Sequence, residues 1–260
     1  MIYDLLHAYK DYLLTFYRPD TAETYYKKIC TLFEGQSLVD TIKRLDVDMV
    51  MGKLSEVKHK NRFSQYKNAF MHFCAFQGIN LAYDTLKHIK ELETGTRKKR
   101  RKLGAVDFTE VDKKIKRIRN KRLKISYQAI IATGLRVSEI ADISPMGCIV
   151  TDKEITFNFT AKGGVNAVAT ITKASYPKLY KDIGVFIESD SNAQDKSLFY
   201  SADYLQKKAR ELGFTCHDLR RAFAKLEYKK CRSKTAVMKK LRHTSKRTTN
   251  IYLRSKVKID

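Results

Sequence analysis

Six consecutive cations, Arg97, Lys98, Lys99, Arg100, Arg101 and Lys102, stand between Gly95 and Gly104. Like charges at successive positions repel one another, and the flanking glycines add backbone freedom, so the run cannot enter a packed core. It therefore reads as a linker over 94–104 that divides the 260-residue chain into a segment of 1–93 and one of 105–260. Each segment must then bury a core of its own.

The rest of the chain sharpens what the linker is for. Lys and Arg number 52 against 28 Asp and Glu, a formal charge of +24. An excess of this size points to a polyanion, because neutralising phosphates releases condensed counterions. The run 97–102 is then read as a linker lying against DNA, with a nuclear-localisation signal as the other reading. Hydrophobic residues make up 43% of the chain and only three prolines interrupt it, so both segments should pack. Five cysteines (Cys30, Cys74, Cys148, Cys216, Cys231) are odd in number and contain no C-x-x-C pair, which argues for reduced thiols and against a metal site. No apolar run approaches the roughly 20 residues of a membrane span, and acidic and polar residues come too early at Met1 to Asp4 for a signal peptide. The expected location is the cytoplasm, or the nucleus in a cell that has one.

Apolar spacing in 1–93 is helical. Phe63, Tyr66, Phe70, Phe73 and Phe76 recur at intervals of three and four, and Gly78 is suited to end the helix. Leu5, Ala8, Tyr12 and Phe16 suggest a second helix, and Tyr25, Ile29, Leu32 and Phe33 a third opening near Asp20 and Thr21. A weaker one covers about Asp46 to Leu54. The expectation is a bundle of about four helices with the aromatic stripe in its core. Lys58, Lys60, Arg62 and Lys67 are left on a basic outer face as candidates for DNA contact.

Beyond the linker, Phe108-Thr109-Glu110 reads as a capped helix start, with basic helices to about Arg119 and Thr133. Gly134 breaks the second, and Arg136 opens a short helix carrying Glu139 and Ile140. The period then becomes two: Ile155, Phe157 and Phe159, a turn at Ala161-Lys162-Gly163-Gly164, then Val165, Ala167, Ala169 and Ile171, which together predict a β-hairpin. Helices resume over about Ala202 to Leu212 and from Asp218 to the end. The fold class is mainly α with one small β-hairpin.

The chemistry concentrates between His217 and Tyr252, where a tyrosine stands among histidines and arginines. Attack on a phosphodiester builds charge on its non-bridging oxygens, and arginine forks offer paired donors to such oxygens. Singly, the motifs are weak. In order, Ala132-Thr133-Gly134-Leu135-Arg136-Val137-Ser138-Glu139, His217-Asp218-Leu219-Arg220-Arg221-Ala222-Phe223-Ala224, Leu241-Arg242-His243-Thr244-Ser245 and Thr248-Thr249-Asn250-Ile251-Tyr252 resemble the boxes of the tyrosine recombinases, also called lambda-type phage integrases. The spacings from Arg220 to His243 (243 − 220 = 23) and from His243 to Tyr252 (252 − 243 = 9) fit as well.

The resemblance implies a catalytic domain over 105–260, a helical core-DNA-binding domain over 1–93, and a C-shaped clamp formed by the two around a duplex. It makes Tyr252 the nucleophile, whose unperturbed pKa is about 10, and gives the phosphate to Arg136, Arg220 and His243. His217 assists the attacking hydroxyl, Lys162 protonates the leaving 5′ oxygen, and Glu139 supports Arg136. A 3′-phosphotyrosine conserves the bond energy, so neither cofactor nor metal is implied. The implied partners are double-stranded recombination sites held by a homotetramer, one dimer per site, passing through a Holliday junction, with accessory DNA-bending factors admitted. A type IB topoisomerase and a DNA-binding protein without cleavage chemistry are the alternatives. Two departures stand out. Arg242 occupies the position where the family has glycine and is a further candidate for phosphate contact. Only eight basic-rich residues follow Tyr252 (260 − 252 = 8), where many relatives carry a longer docking helix.

Overall fold

A computed structural model describes residues 2–34, 47–95, 105–161, 164–189 and 197–259. Contacts divide it into two compact units, 1–101 and 102–260. The cationic run 97–102, Lys162 and Asp46 lie outside the described residues, as does the side chain of Lys60.

In the first unit the helices are α1 (Ile2–Phe16), α2 (Pro19–Leu32), α3 (Val47–Ser55), α4 (Lys60–Phe76) and α5 (Tyr83–Gly95). The aromatic stripe of α4 is core: Phe63, Tyr66, Phe70 and Phe73 are all buried, and each such ring removed from water contributes roughly 1.5–3 kcal/mol. Phe73 meets the buried Tyr9 edge-on at 5.2 Å, and Tyr9 Oη donates to the Ala69 carbonyl at 2.9 Å. Two expectations need correction. The buried face of α1 is Leu6, Tyr9 and Leu13, while Ala8 and Phe16 are exposed, because α1 is apolar on more than one face and its spacing admits two stripes. The bundle also has a fifth described helix, α5, in which Ile89 is the one buried side chain among the described residues and leaves little periodic signal.

The second unit is built around α7 (Lys121–Thr133), which follows β1 (Val106–Asp107) and α6 (Phe108–Lys116). Caps set both helices: Asp107 accepts from Thr109 N at 2.8 Å, and Asn120 from Leu123 N at 2.9 Å. Along α7, Leu123, Ile125, Tyr127, Ala129, Ile130 and Ala132 are buried. Short α8 (Val137–Ala141) leads to a sheet of order β2-β3-β4, made of β2 (Cys148–Val150), β3 (Glu154–Ala161) and β4 (Val165–Thr172). Its pairing is antiparallel, with Ile155 opposite Ile171 and Phe157 opposite Ala169 on the buried face. The expected hairpin is thus present, flanked by a third strand; Val165 at its tip is exposed.

Next come α9 (Pro177–Ser189), for which no helix was expected, α10 (Ala202–Glu211), α11 (Cys216–Cys231), α12 (Lys234–Lys240) and α13 (Lys246–Leu253). The chain does not stay helical from Asp218 to its end. β5 (Val257–Lys258) pairs in parallel with β1, Val257 against Val106. Lys225 Nζ fixes this strand by donating to the carbonyls of Ser255 and Val257, both at 2.7 Å. No described helix is long and apolar enough to cross a membrane.

Gly134 ends α7 in the left-handed region, φ 65°, with its N–H on the Ile130 carbonyl at 2.8 Å. A Cβ there would meet the Phe223 ring at 2.3 Å. Left-handed strain costs about 1–2 kcal/mol and overpacking about 1–3 kcal/mol. Gly134→Ala should therefore destabilise the full chain by roughly 2–4 kcal/mol, sending urea unfolding followed by far-UV circular dichroism to lower denaturant; an unchanged curve would contradict the packing of α7 on α11.

Candidate active site

The second unit brings the motif residues to one place through short-range backbone devices. At the start of α11, Thr215 Oγ1 accepts from Asp218 N at 3.2 Å while Asp218 Oδ2 accepts from Thr215 N at 3.0 Å, a reciprocal capping box. It fixes the first turn, which carries His217, and Arg220 follows three residues on. Helix α13 opens at Ser245, whose hydroxyl accepts from Arg247 N at 3.1 Å, and presents Thr249 and Tyr252 on its buried face. Phe223, Ala224, Val237, Leu241 and Tyr252 form the small core that holds α11, α12 and α13 together.

Within this frame Tyr252 Oη lies 2.7 Å from His217 Nε2. The His243 ring stands edge-on to Tyr252 at 4.7 Å, and the Arg220 guanidinium lies 6.0 Å from the tyrosine ring centre. Arg220 is 1% exposed. Its Nη2 donates to the Leu241 carbonyl at 2.5 Å, its Nη1 donates to the Gly134 carbonyl, and its Nε has no partner. His243 Nδ1 lies 3.0 Å from Thr249 Oγ1, and its buried Nε2 likewise has none.

One carboxylate organises the cations. Glu139, 2% exposed, takes Arg136 Nη1 on Oε1 at 2.6 Å and the Arg136 backbone N–H on Oε2 at 2.8 Å. Arg242 Nη2 and Arg220 Nη1 approach Oε2 at 3.6 and 3.8 Å. Burial alone would favour the neutral acid, but the Arg136 donors and the charge of Arg220 outweigh it and hold the Glu139 pKa below its ordinary value. The Arg220 pKa is likewise lowered, to about 10, by burial first and then by Arg136. Both histidines fall to about 4: His217 through burial and then Arg221 and Arg220, His243 through burial and then Arg220 and Arg136. Near neutral pH the site thus holds neutral imidazoles among four guanidiniums, with Arg136, Arg220 and Arg242 around Glu139 and Arg221 on Asp218. A cleft of about 400 Å³ lined by Arg136, His217, Arg220 and Arg221 opens beside them. Such a pocket suits an anion.

The loop before His243 carries the departure at Arg242. Arg242 N–H bonds to the Lys239 carbonyl and His243 N–H to the Met238 carbonyl, both at 3.0 Å. This is a Schellman closure of α12, and it puts Arg242 at φ 53°. A left-handed position favours glycine, and an L side chain there costs about 1–2 kcal/mol.

Of the residues singled out from sequence, Arg136, Glu139, His217, Arg220, Arg242, His243 and Tyr252 converge. Lys162 and the run 97–102 fall outside the described residues. Lys58 and Arg62 are exposed, whereas Lys67 is bound to Glu93 of α5 at 2.6 Å. Sequence reasoning missed Thr249 as the partner of His243, and Thr215 and Asp218 as the clamp on α11. Thr215 and Asp218, three apart at a helix start, carried a recognisable signal.

The depressed histidines link stability to pH. In the unfolded chain they titrate near the ordinary value of about 6.5, while in the folded chain they stay neutral down to about 4. Across that window the unfolded state binds more protons, so stability falls as pH falls. Glu139 and Glu227, also depressed, act in the same sense only at the lower end. The DNA-free chain should lose stability between about pH 6.5 and 4, and a His217→Asn/His243→Asn double variant should show a shallower slope in urea titrations; parallel slopes would place the histidines in water instead.

The model of the phage integrase family matches residues 106–258, which contain every described member of the site. A tyrosine recombinase, XerH of Campylobacter jejuni, is 26% identical over an alignment covering 88% of this chain and 73% of that protein. Among solved structures, a lambda integrase tetramer bound to a Holliday junction superposes with a TM-score of 0.65 at 16% identity, covering 100% of this chain and 79% of that one. XerH bound to a palindromic difH substrate, in a post-cleavage complex, gives 0.62 at 16% identity, covering 89% and 75%. With the family's model spanning more than half of the sequence, the chain belongs to the phage integrase family, the tyrosine recombinases.

Proposed function

We propose that the chain is a site-specific DNA recombinase that breaks and rejoins strands through Tyr252. The observation that carries this reading is the 2.7 Å contact between Tyr252 Oη and His217 Nε2 beside an arginine cluster with buried, unpartnered donors. Arg136 and Arg220 bind the non-bridging oxygens of the scissile phosphate, where charge builds during attack. With Thr249 donating to His243 Nδ1, the ring proton sits on Nε2, the nitrogen free to donate to the same phosphate. His217 accepts the phenol proton as Oη bonds to phosphorus and the bond from phosphorus to the 5′ oxygen breaks. Lys162, which follows Ala161 in the sequence, supplies the proton that the leaving 5′ oxygen needs. Reversal, with a 5′ hydroxyl from another duplex attacking the 3′-phosphotyrosine, returns the proton to Tyr252 and completes exchange.

The binding step tunes the bases. A phosphodiester entering the cluster offsets the guanidinium charge and raises both histidines from about 4. Lys58, Arg62 and the cationic run 97–102 bind phosphates of the same duplex. Two duplexes with a dimer on each form a tetramer and pass through a Holliday junction, a reading supported by the lambda integrase tetramer bound to one.

Two experiments test this. A nicked suicide duplex carrying the chain's own recombination site should trap a covalent complex. Tyr252→Phe should bind that duplex yet form no adduct, a loss of at least about 10³-fold in line with removal of a nucleophile; an adduct from this variant would overturn the assignment. Lys162→Ala should slow cleavage by about 10²–10⁴-fold, the range of a general acid. A 5′-phosphorothiolate substrate, whose leaving thiolate needs no proton, should restore it, and no restoration would remove Lys162 from the reaction.

A further inference from the structure

Arg242 carries a basic side chain at a backbone position that favours glycine. Its guanidinium lies 5.0 Å from the Phe159 ring centre on β3, and Nη2 is 3.6 Å from Glu139 Oε2. Nε and Nη2, the edge that makes side-on bidentate bonds, are buried and have no hydrogen-bond partner. The side chain is only 21% exposed, so most of it is withheld from a ligand in solution. Facing it are Glu139, Arg136 and Arg220, with His243 adjoining in sequence.

We propose that Arg242 is a positioning residue of the cleavage site: its charge, 3.6 Å from Glu139 Oε2, adds to the Arg136 backbone N–H on that oxygen while the Arg136 guanidinium holds Oε1, and so helps to fix the spacing of the two phosphate-binding arginines. The stack on Phe159 orients the planar fork toward the carboxylate. With Arg242 gone, Glu139 has one cation fewer on Oε2 and is drawn toward Arg136 or Arg220 alone. Residual approach of a guanidinium to DNA is then secondary. The inference rests on the proposed recombinase reading.

The test is a double-mutant cycle in the full chain on the nicked suicide duplex, reading the single-turnover rate of adduct formation at saturating DNA. Arg242→Gly, which suits the left-handed backbone, should slow the reaction about 10- to 100-fold, the scale of a misplaced reacting geometry, with DNA affinity within about threefold. Arg242→Lys should recover only part of that loss, since it restores charge but not the fork. Glu139→Gln should also slow the reaction, and the double variant should be no slower than Glu139→Gln alone within about twofold, because both act on one element. Losses that multiply, or a loss that vanishes at saturating DNA, would make Arg242 an independent DNA contact and overturn the proposal. A second measurement needs no activity: in nuclear magnetic resonance titration of the DNA-free chain, Arg242→Gly should move the His243 midpoint upward, since Arg242 contributes to its depression. An unmoved midpoint would overturn the placement of the guanidinium at the site. If Tyr252→Phe still forms adduct, the recombinase reading itself fails; if adduct depends on Tyr252 and Arg242→Gly matches the parent, only the present inference does.

Discussion

A single buried carboxylate makes the second unit's site possible. Ionised in the interior, Glu139 alone would cost several kcal/mol, and so would each guanidinium near it. Arg136 supplies two donors at 2.6 and 2.8 Å and Arg220 and Arg242 add charge at 3.8 and 3.6 Å. The balance is deliberately uneven in chemical effect: three cations share one anion, and buried donors on Arg220, Arg242 and His243 stay unpaired. An unpaired buried donor is costly in a resting protein, and in the proposed reaction those of Arg220 and His243 are met by the scissile phosphate. The same Glu139 accepts from the Arg136 backbone N–H in a capping box, so the helix start and the charge cluster are one device.

Backbone geometry then carries that cluster to the tyrosine. Arg220 donates to the carbonyls of Gly134 and Leu241, which belong to the end of α7 and the end of α12. Both carbonyls are exposed to it because each helix stops in a left-handed closure beside it, at Gly134 and at Arg242. Arg220 is therefore a tie between three segments as well as a phosphate ligand in the proposed reaction. Tyr252 is fixed from the other side by the small core of α11, α12 and α13, and the segment after it by β1 and Lys225.

The site was legible because its parts are local motifs, each set by a cap or a helix end: Thr215 with Asp218, Arg136 with Glu139, Ser245 before Thr249 and Tyr252. The helices with dense apolar stripes and the hairpin with its alternating face were legible for the same reason. What escaped was what depends on distant partners. The strand at Val257 exists only because Val106 lies beside it, and α5 is held by Ile89, by the packing of Leu92 and by Lys67 on Glu93, partners far off in sequence. Arg122 looks from sequence like one more cation for DNA, yet it donates to the carbonyls of Ser197, Leu198 and Phe199 and lies over Tyr200 at 4.9 Å.

That last case changes how the charge of +24 should be read. Lys67 is taken by Glu93, Lys225 by backbone carbonyls, and Lys230 and Lys240 by the buried Glu227. A share of the basic residues thus serves as internal fasteners, and the field available to a polyanion is set by those left outside such pairs. The cations at the site differ from both groups. Arg220 is buried and Arg136 and Arg242 are half-buried, so salt screens them less than exposed charges, and after burial itself the guanidinium charge helps to keep His217 and His243 neutral. Long-range attraction and local chemistry are therefore separate layers of charge in the proposed reaction: the outer one gathers DNA in a salt-dependent way, and the inner one meets a phosphate seated among Arg136, Arg220 and His243.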